Sequence, residues 1–161
     1  MRSCCLRPAP DHRGPRMKFQ LETGNIDYID QAPQKFINAV DLKASAEVVF
    51  AALRDTETWL QWFPDMTAAT WEGEPGAGTD RVVKVGPMQI REHFILWEEP
   101  RQMAFYVSET SLPFAKKMIE NYTIEETDSG CRFTYAVGMQ FRFPLSMVQF
   151  AARPKFGAID Q

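Results

Sequence analysis

The run "IREHFILW", residues 90–97, places a carboxyl, Glu92, in the same alternating phase as Ile90, Phe94 and Leu96. A carboxylate set among apolar neighbours loses hydration, and its pKa rises. It then suits general acid–base work, or holding the hydroxyl of a bound molecule. Two other fates are open to it: pairing with an arginine such as Arg81 or Arg91, or a place at the solvent rim. Glu92 is thus the best catalytic candidate, and Glu120 and Glu109 share that phase in runs of their own. His93 is the one histidine after residue 12, and no second ligand stands at metal-binding spacing from it, so no metal site and no cofactor are expected. There is no serine elbow, P-loop or zinc-ligand pattern. "GEPGAGTD" is rich in glycine but lies between strand-like runs, which makes it a hairpin turn and not a nucleotide loop.

The elements that must position Glu92 are punctuated clearly. Residues 34–42 read as a strand. "SAEVVFAALRD" follows, with Ser45 as a helix cap and Val48, Val49, Ala52 and Leu53 at helical spacing. A second short helix spans Glu57 to Trp62 and stops before Pro64. The period then changes to two, giving strands near 66–73, 79–85, 88–98, 102–109, 118–127 and 131–141. "EPGAG", "GP", "EEPR", "SLPFAKK" and "TDSG" separate them, each suited to chain reversal, so neighbouring strands are expected to pair antiparallel. "LSMVQFAAR", just after Pro144, reads as a short final helix.

Composition bounds the function. The chain has 161 residues and a net charge of −3. Its first sixteen residues carry four Arg and one Asp, or +3, which leaves −6 for residues 17–161. An acidic domain repels a phosphate backbone, so nucleic acid is excluded as a general partner. No apolar run is long enough for an integral membrane segment. "MRSCCLRPAPDHRGPR" holds three Pro, one Gly and no signal-peptide core; disorder is expected at least through residue 16, with residues 1–33 forming a tail and 34–161 the domain. Met17 is a second candidate start beside Met1. Three cysteines, two of them adjacent in the tail, make no disulfide framework, and Cys131 reads as a small buried hydrophobe; a cytoplasmic location is expected.

The order strand, two helices, six strands, helix resembles the START-like superfamily, also called SRPBCC or polyketide cyclase/dehydrase-like. The resemblance is carried by "SAEVVFAALRD", "WLQWFP", the "GAGT" turn, "IREHFILWEEPRQMAFYV" and "SGCRFTYAV". It implies an α+β helix-grip fold: a seven-stranded curved antiparallel sheet, two short N-terminal helices, and a C-terminal helix that encloses a hydrophobic cavity. On that reading Glu92, Phe94, Leu96, Phe105, Val107, Tyr122, Ile124, Phe133 and Tyr135 line the concave side, with Trp62 at the cavity mouth. The implied function is binding, transport or sequestration of a small hydrophobic ligand, such as a lipid or polyketide-like metabolite, oriented by Glu92 and Tyr122 or Tyr135. One alternative is a cyclase or dehydratase that moves protons through a pocket Glu or Tyr. Another is a non-catalytic regulatory module without an open cavity. The family's grip helix is longer than the seventeen residues that follow Pro144 here, and Pro154 interrupts those. A shortened lid is therefore expected, and with it exposed sheet and self-association into a homo-oligomer.

Overall fold

The computed structural model describes residues 19–142. The expected tail through residue 16 and the expected final helix after Pro144 lie outside them.

Alternating side chains and Gly/Pro breaks produce the expected strands. These are β2 (Gln34–Leu42), β3 (Met66–Trp71), β4 (Asp80–Val85), β5 (Met88–Glu98), β6 (Gln102–Thr110), β7 (Ala115–Thr127) and β8 (Gly130–Phe141). All pair antiparallel in the order β2-β8-β7-β6-β5-β4-β3, which leaves β2 and β3 at the edges. This is the seven-stranded α+β sheet that the sequence implies. The β7–β8 reversal needs Gly130: its φ is +149°, and a Cβ there would lie 2.0 Å from the Leu42 carbonyl oxygen.

Helices α2 (Ala46–Arg54) and α3 (Thr56–Trp62) follow β2. In α2, Ala46, Phe50 and Leu53 recur at helical spacing and are buried. Ser45 starts the helix through its carbonyl, which accepts from the Val49 amide, and its side chain makes no capping bond. Asp55 ends α2 and caps α3, accepting from the Glu57 amide at 3.1 Å and the Thr58 hydroxyl at 2.7 Å.

Two further elements lie in the expected tail: β1 (Phe19–Gln20) and the helical turn α1 (Tyr28–Gln31). β1 adds to the end of β6. α1 packs on the sheet face opposite α2 and α3. Its seat is Gly138, where a Cβ would come within 2.7 Å of the Ile29 Cα. Residues 19–31 therefore pack against the sheet. Their burial is carried by isolated residues, Leu21 and Ile29, too sparse to set up a period.

Among the described residues, no helix is long and apolar enough to cross a membrane.

Candidate functional site

Strand register divides the side chains between two faces. The inner face, which carries α2 and α3, presents Trp71 of β3, Arg81 and Val83 of β4, and Glu92 and Phe94 of β5. It continues with Met103, Phe105 and Val107 of β6, then Glu120, Tyr122 and Ile124 of β7. Phe133, Tyr135 and Val137 of β8 and Phe36, Asn38 and Val40 of β2 complete it. Nine of the ten residues expected to line the cavity come from these strands, and eight of the nine lie on this face.

Leu96 is the exception. Between Phe94 and Leu96 the β5–β6 register slips, so that Phe94 faces Phe105 but Leu96 faces Ala104. Ile95 is the extra residue of a β-bulge, and beyond it the alternation inverts. Leu96 turns to the outer face and Trp97 takes the inner position, its ring 5.5 Å from Phe94 and 5.3 Å from Phe50. A second slip, at Ser108, pairs Glu109 with Arg91 and so turns Glu109 outward. There Arg91 joins Glu109 to Glu72 and Asp80, and His93 meets Asp80 at 2.6 Å, an outer-face network across the sheet from the inner carboxyls.

The inner face has two unlike halves. Over β3–β6 it is filled: Phe94, Phe105 and Val107 are fully buried, Phe94 against the rings of Trp71, Trp97 and Phe105. Trp62, by contrast, is 46% exposed and packs at a tilt on Trp59 with centroids 4.4 Å apart. Toward β7, β8 and β2 the face opens. Met118, Phe133, Tyr135 and Phe36 are half-buried and Val40 is 49% exposed.

The polar groups sit where these halves meet. Arg81, 1% exposed, donates from Nε to Glu92 Oε2 at 2.6 Å and from Nη1 toward the Leu53 carbonyl at 3.4 Å. Its guanidinium lies 4.8 Å from the Trp59 ring centroid and 5.3 Å from that of Trp71. Trp59 is fixed in turn by its indole N–H, which donates to the Leu53 carbonyl at 2.7 Å. Burial pushes the Glu92 carboxyl above its ordinary range, and Arg81 pulls the other way. Glu92 is therefore one half of an ion pair, the arginine-paired fate left open by the sequence.

Glu120, on the same face, is 7% exposed. It accepts from the Tyr122 hydroxyl at 2.7 Å and from the Tyr135 hydroxyl. Burial, reinforced by the negative charge of Glu92, raises its pKa to about 7, against the pull of these hydroxyls and of Arg81. Burial and the Glu120 charge push both tyrosines up, which keeps them protonated donors. Tyr122 and Tyr135 face each other across β7 and β8 with ring centroids 5.2 Å apart. Two carboxyls thus lie near one arginine, and Glu120, which makes no ion pair with it, titrates near neutral pH. Its signal was legible in phase: Glu120 is two residues from Tyr122. That Arg81 lies beside Glu92 required the β4–β5 register. Among the described residues, no group of three or more His, Cys, Asp or Glu could hold a metal ion.

This architecture has relatives. The family described as "Polyketide cyclase / dehydrase and lipid transport" matches residues 33–157. Uncharacterized proteins of Mycobacterium tuberculosis and Mycobacterium bovis are 33% identical over 139 residues, 84% of this chain and 83% of theirs. A START superfamily protein from Mycobacterium smegmatis superposes with a TM-score of 0.60 at 14% identity, over 72% of this chain and 86% of that one. For major latex-like protein 151 from Panax ginseng the TM-score is 0.59 at 14% identity, over 73% and 89%. At such identities the likeness to these two structures is one of fold.

Proposed function

The chain belongs to the polyketide cyclase/dehydrase and lipid transport family, and from that premise we propose that it binds a small, largely apolar ligand on the open half of the inner face. The ligand is a lipid or a polyketide-like metabolite, and its polar end meets Glu120 and Tyr135. One observation carries the reading: the described residues leave Phe36 and Phe133 half-buried and Val40 exposed, beside the buried carboxyl–tyrosine group. Affinity comes mainly from removing apolar surface from water, at about 25 cal/mol per Å² before association costs. Ligand contacts fall on Phe133, Tyr135 and the β2 side, because Phe94, Phe105 and Val107 have no free surface. A buried free thiol, Cys131, fits a reducing compartment such as the cytoplasm.

The edge strand β2 supplies the test. Val40 pairs with Phe133 on the inner face, and Ile37 pairs with Ala136 on the outer; they are 49% and 55% exposed. Both side chains are half exposed on an edge strand, so Asp at either position should fold. V40D should weaken Nile red uptake about tenfold or more by setting a charge on the ligand surface. I37D should leave uptake unchanged. Equal effects at the two positions would refute this site, and failure of folded protein to take up any apolar probe would favour a partner-binding module.

The proton on Glu120 supports a second reading, an enzyme of the cyclase or dehydratase kind with Glu120 as general acid–base. A group with a pKa of about 7 is matched to that task at neutral pH. Glu120→Gln would then lower turnover of a polyketide-like substrate about a hundredfold.

A further inference from the structure

The inner polar group has a chemical polarity of its own, set by which donors and acceptors are already engaged. Arg81 has almost no free surface, and its guanidinium faces Glu92, the Leu53 carbonyl and aromatic rings. The Tyr122 hydroxyl donates its one proton to Glu120, and so does that of Tyr135. A tyrosine hydroxyl has a single proton to give but two lone pairs. A carboxylate has about four lone-pair sites and no proton. The groups next to the open half of the face therefore retain acceptors, on Glu120 and on Tyr135, while their donors are used. Asn38, opposite Tyr135 on β2, is exposed, and its amide can turn either way, so it does not discriminate.

The charges point in the same direction. Among the described residues, Arg81 is the one cation that acts on Glu120, against Glu92 and Glu120 itself, with Tyr122 and Tyr135 as the other titratable neighbours. One positive charge serves two carboxyls. The aromatic rings of Tyr122, Tyr135 and Phe133 stand around this deficit, with Phe133 5.8 Å and Tyr135 5.2 Å from Tyr122. A cation brought there would meet a carboxylate and the faces of several rings.

From this accounting we infer that the ligand's polar end is a hydrogen-bond donor, an ammonium or a hydroxyl, and not a carboxylate or a ketone. This rests on the binding reading above and adds to it the class of ligand. A carboxylate would set a third negative charge beside Glu92 and Glu120, and among the described residues no second cation stands there to balance it. A ketone would bring one more acceptor to a group of acceptors. An ammonium supplies both the missing charge and the missing protons, and an alcohol supplies a proton alone. The expected order of affinity is amine, then alcohol, then ketone and carboxylate.

The experiment holds the tail constant and varies the head. Decylammonium, decan-1-ol, decan-2-one and decanoate compete with Nile red for the whole chain at pH 8, where Glu120 is mostly ionised. Decylammonium should displace the probe at a concentration at least about tenfold lower than decanoate, a difference typical of hydrogen bonds to charged groups. In Glu120→Gln the ratio of amine to carboxylate affinity should collapse toward one, whatever happens to the affinity for the probe. Circular dichroism checks that the variant folds, and if it does not, the wild-type ranking decides alone. Nile red uptake with equal displacement by all four heads, or with decanoate strongest, overturns the inference and leaves the binding reading standing. No uptake by folded protein overturns both.

Discussion

Replacing Glu120 with Gln should change the pH dependence of stability in a way worked out from its surroundings. The Glu120 carboxyl has an ordinary pKa of 4.5 in the unfolded chain and about 7 in the folded one, raised first by burial and then by Glu92. Each unit of that difference is worth about 1.4 kcal/mol. A raised carboxyl costs nothing while it is protonated in both states. As pH climbs above 4.5 the unfolded chain ionises and is stabilised, and the folded chain follows only near 7. Native stability therefore falls through this window and levels off above it, by about 3 kcal/mol in all. Between pH 5 and pH 8 the loss is roughly 2.5 kcal/mol. Gln at this position has no proton to lose, and its amide oxygen can still accept from Tyr122. Other carboxyls titrate too: Asp55, held low by Thr58 and its cap bonds, acts in the opposite sense. The informative quantity is thus the stability of the variant minus that of the wild type, from urea unfolding at pH 5 and pH 8. That difference should shift in favour of the variant by roughly 2 to 3 kcal/mol as pH rises. A difference that stays flat, or grows toward acid, would refute the assignment of the proton to Glu120.

Breaking the neighbouring ion pair should cost more. Arg81→Met strands a buried Glu92 and should destabilise by about 3 to 5 kcal/mol in urea unfolding; adding Glu92→Leu should restore most of it. If the double variant is no better than the single, the pair is not the cause. The bulge at Ile95 makes Trp97→Ala worse than Leu96→Ala by at least about 2 kcal/mol, since Trp97 packs in the inner aromatic cluster and Leu96 does not; a reversed order of melting temperatures would contradict the register. Gly138→Val should lift α1 from the sheet, because Ile29 backbone occupies the space a Cβ needs, and faster amide exchange of Tyr28–Gln31 would report it. Decylammonium affinity should fall as pH drops below about 7, where a proton competes for Glu120; a flat profile between pH 6 and pH 8 would count against that contact.

Much of the fold is legible along the chain. The alternation in 88–98 and 130–141, the Asp55 cap and the Gly/Pro turns are local signals, and the elements stand within a few residues of where those signals put them. The phase of each strand also brings Glu92, Phe94, Phe105, Tyr122, Ile124, Phe133 and Tyr135 to one face. Phase fails at the bulges. An extra residue at Ile95 or Ser108 leaves no trace in hydropathy, yet it inverts everything beyond it, and so Leu96 and Glu109 turn outward.

What the amino-acid sequence determined by itself is the order of elements and the set of side chains offered to the inner face, because both follow from periods of two and 3.6 that each segment carries within it. Which carboxyl is ion-paired was decided by the tertiary structure. Glu92 and Glu120 look alike along the chain, each flanked by apolar positions of its strand. They differ because the β4–β5 register sets Arg81 in contact with one, while the β7–β8 pairing sets the Tyr122 and Tyr135 hydroxyls beside the other. Charge interactions act through space, and neighbours in space are fixed only when the strands pair.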